Sequence, residues 1–320
     1  MNPILHRLYN SFLLALPKAF KTIIWLLKII LPISFVVSLL QYWGIIAIIA
    51  SFLAPVFSIV GLPGEAAIVF ITSIFMALYA PIAIIATLPL GIREITILAI
   101  MCLISHNLIV ETTVQKKTGS SPWIIFFLRI ITSFVAAFLL NKILPDNMGE
   151  AQIVEKAIVF KSFGEMFQHW LINTGWLILK IVLIITGLMI LQNILKEFHI
   201  LEYLSKIFAP LMKIMGLSQN STFLWFVAQI VGLTYGSAIM IEEVINRSIT
   251  VEDANLLNYH IAVNHSLLED TLLFVVIGVP AGWIIVPRFI LAILIVWSFR
   301  GIHGFKSYLK QKQAKFADFS

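Results

Sequence analysis

Two short segments of this 320-residue chain carry side chains that could do chemistry. In the first, Ser105-His106-Asn107 is followed by Glu111 and Thr112; in the second, Asn264-His265-Ser266 is followed by Glu269, Asp270 and Thr271. The two histidines are 159 residues apart, about half the chain. Imidazole, carboxamide, hydroxyl and carboxylate together can hydrogen-bond a polar solute, move a proton or hold a cation. Both segments lie in apolar surroundings, where an ionised carboxylate costs about 2.5–3.5 kcal/mol on insertion scales. A chain that carries this cost twice in one pattern is building a site. Tyr79, Gln229 and Tyr235 are secondary candidates, with Thr234, Gly236 and Ser237 beside the last of them.

The spacing says how these groups must be held. On a straight helix His265 and Glu269 share a face, as do Ser266 and Asp270, and Asn107 and Glu111. Four residues after His106, however, comes Val110. A straight helix would therefore point some of these polar groups at lipid. Irregular backbone is tolerated at membrane depth only where it is buried in protein or lines a water-filled cavity. The pattern predicts helices broken at both clusters, with the freed amides and carbonyls joining the site.

The elements that position them are read from composition. The chain is 60% hydrophobic and 12% charged, with a mean hydropathy of +0.99, against roughly half apolar and a quarter charged in a soluble domain. Apolar runs of spanning length recur from end to end, so the expected fold class is all-α, a polytopic helical membrane protein. Cys102 is the single cysteine, which excludes a disulfide framework or a thiolate metal cluster. The net charge of +6 is concentrated near the termini, in Arg7, Lys18 and Lys21 and in Arg300, Lys306, Lys310, Lys312 and Lys315. That distribution argues against nucleic acid as a partner. It places both termini in the cytoplasm by the positive-inside rule, with an even number of crossings of the inner (cytoplasmic) membrane. No cleavable signal peptide is expected.

Residues 1–20 read as an interfacial amphipathic helix and 22–43 as the first span. A short apolar piece with Pro55 covers 45–60, and the next spans cover 65–90, 95–115 and 123–143. A polar linker at 146–157 then separates a first unit (1–145) from a second (158–300), ahead of a basic tail at 301–320. The second unit repeats the order of the first: an amphipathic piece at 158–172, a span at 174–194 and a short piece at 196–215. Matching landmarks recur at offsets of 154 to 160 residues: Ala54-Pro55 with Ala209-Pro210, Gly61-Leu62 with Gly216-Leu217, Tyr79 with Tyr235, Arg93 with Arg247, and Trp123 with Trp283. Such ordered self-similarity predicts two tandem repeats. If the short pieces cross, each copy has five spans and the copies are inverted; four spans each would put Lys116-Lys117 outside, against the positive-inside rule. Inversion is the preferred expectation, although the polar character of 196–215 opposes it.

The duplicated motif, His106-x4-Glu111-Thr112 and His265-x4-Asp270-Thr271 after an Ala-Pro…Gly-Leu element, resembles the nucleoside-recognition or Gate domain family. That family includes the gate regions of concentrative nucleoside transporters and ferrous-iron transporter B proteins, and the spore maturation membrane proteins A and B. The resemblance covers two units, approximately 22–145 and 174–300, and implies a transport-like architecture without fixing a substrate. Three functions compete. The first is a secondary transporter for a nucleoside-like or other small polar solute, coupled to a proton or cation. Glu111, Glu269 and Asp270 would bind the coupling ion; Asn107, Asn264 and the histidines would bind the solute. The second is a divalent-metal permease using His106, Glu111, His265 and Glu269 as ligands. The third is an intramembrane hydrolase or a non-transporting envelope partner, which the absence of Gly-x-Ser-x-Gly, His-Glu-x-x-His and Gly-x-Gly-Asp motifs disfavours. No enzymatic activity and no cofactor are expected, the lipid bilayer is the expected surrounding, and homo-oligomerisation is left open.

Overall fold

The structure, a computed structural model, describes residues 3–149, 161–230, 232, 240–241, 243–244 and 248–317. It is all-α, with no strand among the described residues. The first half comprises α1 (Pro3–Tyr42), α2 (Ile45–Ser58), α3 (Ala66–Phe75), α4 (Tyr79–Ile85), α5 (Ile92–Ser105), α6 (Leu108–Lys117) and α7 (Pro122–Ile143). The second comprises α8 (Phe163–Glu197), α9 (Ile200–Ile214), a 3₁₀ turn at Gln219–Ser221, α10 (Thr222–Ile230), α11 (Val251–Val263), α12 (Glu269–Val275) and α13 (Ala281–Ala317).

α1 is one uninterrupted helix of 40 residues, about 60 Å long at 1.5 Å per residue. The expected joint near Lys21, between an interfacial helix and a first span, is therefore absent. Pro17 and Pro32 sit inside α1, and each removes a backbone donor. Packing against α8 along the whole length offsets that loss. Trp170 Nε1 donates to Ser34 Oγ at 3.0 Å near one end, and Asn193 Nδ2 donates to the Ser11 carbonyl at 3.2 Å near the other. Arg7 Nε reaches Glu197 Oε1 at 2.8 Å beyond that. Residue numbers rise along α1 as they fall along α8, so the two run antiparallel. α8 is likewise continuous over 35 residues, without the joint expected between 172 and 174. Of the expected linker at 146–157, residues 150–157 lie outside the described residues, as do residues 158–160 at the head of the second unit.

Both short pieces are helices, α2 of 14 residues and α9 of 15. At about 21–23 Å they are shorter than the ~30 Å hydrocarbon core. They end in the same way. Leu62 N–H reaches back to the Phe57 carbonyl and Gly61 N–H to Ser58, just as Leu217 reaches Met212 and Gly216 reaches Lys213. Gly61 and Gly216 both have φ +73°, the left-handed C′ residue of a Schellman motif. A Cβ on Gly61 would overlap the Asn141 carboxamide, and Arg93 Nη2 holds that residue through its carbonyl at 2.8 Å.

The expected span at 65–90 is discontinuous. α3 stops at Phe75, Met76 is extended (φ −132°, ψ 160°), and helix resumes at Tyr79 as α4. α5 and α6 are interrupted in the same manner at His106-Asn107, where Asn107 is left-handed at φ 48°. The two breaks touch: the Asn107 N–H donates to the carbonyls of Ser73 (2.8 Å) and Met76 (3.1 Å). In the second half the Ser266 N–H donates to Ala228, in α10, at 3.1 Å, and Ser266 is also left-handed at φ 47°. The interrupted stretch Ile92–Lys117, with Pro122–Ile143 and Ala281–Ile302, is long and apolar enough to cross a membrane. α5 is almost wholly enclosed, whereas α7 and α13 bury one face and leave Phe127, Ile131, Ile290 and Leu294 outward. α13 continues as helix to Ala317, through the stretch expected to be a tail.

Candidate functional site

The breaks bring the two clusters together near the middle of the α5–α6 stretch. His106 follows the last turn of α5, and His265 lies just past the end of α11. Each ring is held by its own helix: His106 Nδ1 lies 3.2 Å from the Cys102 carbonyl and His265 Nδ1 2.7 Å from the Ile261 carbonyl. A carbonyl can only accept, so in each neutral ring Nδ1 carries the proton and Nε2 offers a lone pair. The rings face one another, centroids 5.1 Å apart and tilted by 33°.

Two carboxylates meet these rings. Glu111 Oε1 lies 3.3 Å from His106 Nε2 and 3.4 Å from His265 Nε2, and Asp270 Oδ2 lies 3.5 Å from His106 Nε2. Glu111 and Asp270 occupy equivalent positions, five residues after each histidine. Glu269 falls where the first half has Val110. Its carboxylate takes a hydrogen bond from the Tyr79 hydroxyl at 2.7 Å. The shared face expected for His265 and Glu269 does not form, because α12 begins only at Glu269 and the three residues between follow no continuous helix.

The other expected residues fall into place around this group. Asn107 and Ser266 supply the left-handed turns that break the helices. Asn264 is fully buried, yet neither its carboxamide oxygen nor its nitrogen has a hydrogen-bond partner among the described residues. Its backbone carbonyl accepts from Gln229 Nε2 at 2.6 Å. Thr271 Oγ1 accepts from Arg288, while the buried Thr112 hydroxyl has no partner among the described residues. Tyr235, Thr234, Gly236, Ser237 and Arg247 lie outside the described residues.

Two residues that reading the clusters alone overlooks hold the site together. Arg129 in α7 and Arg288 in α13 are 159 residues apart, the same offset as the histidines, and both are fully buried. Arg129 Nε donates to the Ile104 carbonyl at 2.6 Å and Nη2 to the His106 carbonyl at 2.7 Å. These carbonyls lost their helical partners at the break, and a cation at a helix C-terminus also meets the negative end of its dipole. Arg129 Nη1 lies 2.7 Å from Glu111 Oε2, an ion pair between two buried side chains. Arg288 Nε donates to Ile284 O at 2.9 Å and Nη2 to Thr271 Oγ1 at 3.0 Å, and Nη1 reaches the His265 carbonyl at 3.5 Å. An arginine inside each of two apolar helices at a common offset was the signal available in sequence.

A second polar bridge joins the halves away from this cluster. Gln115 Nε2 donates to the Asn258 carbonyl at 3.0 Å, and Asn258 Nδ2 donates to Thr118 Oγ1 (2.7 Å) and Ser120 Oγ (2.8 Å).

A helical membrane protein with interrupted helices meeting at a buried cluster of imidazoles, carboxylates and arginines belongs to the transport-like class of architectures. The chain is a member of the Gate family, described as nucleoside recognition, whose family model matches residues 23–118 and again 178–297. It is 32% identical over 287 residues to the uncharacterized membrane protein YvoD of Bacillus subtilis, covering 89% of this chain and 92% of that protein. No solved structure matches it.

Proposed function

We propose that this membrane protein is a secondary transporter for a nucleoside or another small polar solute, coupled to a proton or cation and working by alternating access between two inverted repeats. The observation that carries this reading is the meeting of His106, Glu111, His265 and Asp270, from both halves, with the buried Asn264 carboxamide, next in sequence to His265, left without a partner among the described residues. A buried polar group without a partner costs about 1–3 kcal/mol. A solute offering a complementary donor and acceptor recovers that cost, which is a reason for such a group to persist in an apolar protein. The antiparallel course of α1 and α8, the first helices of the two halves, supports inversion, as does the common geometry of the breaks. In this arrangement the repeats rock about the cluster, Asn264 and Asn107 orient the solute, and a carboxylate takes the coupling ion. The positively charged ends favour cytoplasmic termini in the inner membrane.

The test is a thermal-shift screen of the detergent-purified chain against nucleosides, nucleobases and amino acids, followed by uptake of any hit into proteoliposomes. A ligand that binds the folded state raises the melting temperature by mass action. The expected result is a shift with a small polar solute that disappears in Asn264→Ala. No shift with any solute and no uptake would remove the transport reading.

A further inference from the structure

At the centre of the cluster, lone pairs face lone pairs. Both Nδ1 atoms are committed as donors to main-chain carbonyls, so the neutral rings present only acceptors at Nε2. Opposite them stand Glu111 Oε1 and Asp270 Oδ2, also acceptors, at 3.3 to 3.5 Å. Among the described residues, His265 Nε2 and Asp270 Oδ2 have no hydrogen-bond partner, and both are buried. Acceptors repel at this distance unless a positive centre stands between them.

We propose that this cluster is a binding site for one transition-metal dication, with His106 Nε2, His265 Nε2 and Asp270 Oδ2 as ligands from both halves of the chain. One ligand atom from each of the three residues already lies within 4.8 Å of the other two. Ligands about 2.0–2.2 Å from a tetrahedral metal are roughly 3.4 Å apart. The His106–Asp270 separation of 3.5 Å meets that spacing, and closing the set needs only side-chain adjustment. The hydrogen bond from each Nδ1 to a carbonyl is the outer-shell contact that orients metal-ligating histidines and fixes their tautomer. Glu111 completes the surroundings, with Oε2 on Arg129 and Oε1 beside both imidazoles. Two imidazoles and a carboxylate suit zinc, cobalt, nickel or ferrous iron better than magnesium or calcium, which take oxygen ligands.

Charge is compatible with this occupant. Glu111, Asp270 and Glu269 against Arg129 and Arg288 leave one net negative charge when all are ionised, and a dication changes this to one net positive. A single proton would bring the balance to zero, and is the competitor that the experiment must separate. The metal site stands apart from the identity of the solute and goes beyond the transport reading. Because its ligands come from both halves, a bound ion would tie the halves together at the cluster.

The experiment titrates the chelator-stripped, full-length protein in detergent with Co²⁺, followed by absorption spectroscopy and equilibrium dialysis. Expected are one Co²⁺ per chain, the intense visible bands of a four- or five-coordinate ion, and displacement by Zn²⁺. Asp270→Asn should weaken binding at least about tenfold, and His106→Gln with His265→Gln should abolish it. Arg7→Ala, in the exposed pair with Glu197 and remote from the ligand set, should leave it unchanged. The wild-type spectrum decides the case even if the double variant does not fold. Weak octahedral bands, no saturable binding, or stoichiometry unchanged in a folded double variant would overturn the proposal. So would proton uptake with no metal bound. A solute-induced thermal shift in metal-free protein would then uphold the transport reading alone; metal binding without any solute shift would do the reverse.

Discussion

The two halves of the site contain equivalent residues and use them differently. In the first half Arg129 closes a ring, holding the Ile104 and His106 carbonyls and pairing with Glu111 at 2.7 Å. In the second half Arg288 spends its donors on Ile284, Thr271 and, at longer range, His265. Asp270 Oδ2 faces His106 with no hydrogen-bond partner among the described residues. The second half also adds Glu269, restrained by Tyr79 from the first. One half is a clamp and the other is open. Equivalence in sequence therefore identifies which residues belong to a site, and packing assigns their duties.

The sharpest way to break this comparison is to remove each arginine. Arg129→Ala leaves Glu111 buried without its counter-ion and two carbonyls bare. It should cost about 3–5 kcal/mol, the usual penalty for breaking a buried pair, while Arg288→Ala should cost less. Detergent melting temperatures decide the matter, and equal losses would mean that both halves are clamps. Next in size are the carboxylates. Glu111→Gln should destabilise by about 1–3 kcal/mol by leaving a buried cation underpaired, whereas Asp270→Asn should keep its melting temperature yet lose coupled uptake. An Asp270→Asn protein with intact uptake would shift the open role elsewhere.

Smaller effects sharpen the picture. Asn264→Ala should weaken solute binding roughly fivefold to 150-fold, as expected for about 1–3 kcal/mol. Asn107→Ala should act mainly on stability, through its left-handed backbone; comparing solute affinity with melting temperature in the two variants separates these roles. Tyr79→Phe removes one bond to Glu269 and should cost about 1–2 kcal/mol, read as a lower melting temperature. Arg7→Ala should fall within about 1 kcal/mol, because its pair with Glu197 is exposed.

Much of this was legible in residues alone. A helical break at His106 follows from placing His, Asn and Glu in an apolar run with no common helical face, and the structure interrupts the helix at Asn107. The parallel break near Met76 was not foreseen, since Ala77-Leu78-Tyr79 carries no turn signal of its own; it depends on Asn107 donating to Ser73 and Met76. The joints expected in α1 and α8 came from a change of amphipathic pattern, and a helix can change its surroundings without ending. Pairing His265 with Glu269 assumed a continuous helix and fell with it, leaving Asp270 as the carboxylate that reaches His106.

Composition and pattern by themselves determined the membrane class, the all-α character, the ordered self-similarity of the two halves and the choice of both histidine segments as candidates. These follow from local physics: hydrocarbon demands satisfied backbone, and polar residues there need partners. Only the tertiary structure decided who those partners are. Glu111 meets His265, 154 residues away, and Tyr79 meets Glu269, 190 residues away, because the interrupted helices of both halves pack their breaks against a common centre. Local periodicity does not encode contacts at that range. They are set by how the helices pack, and with them the difference between a clamped carboxylate and an open one.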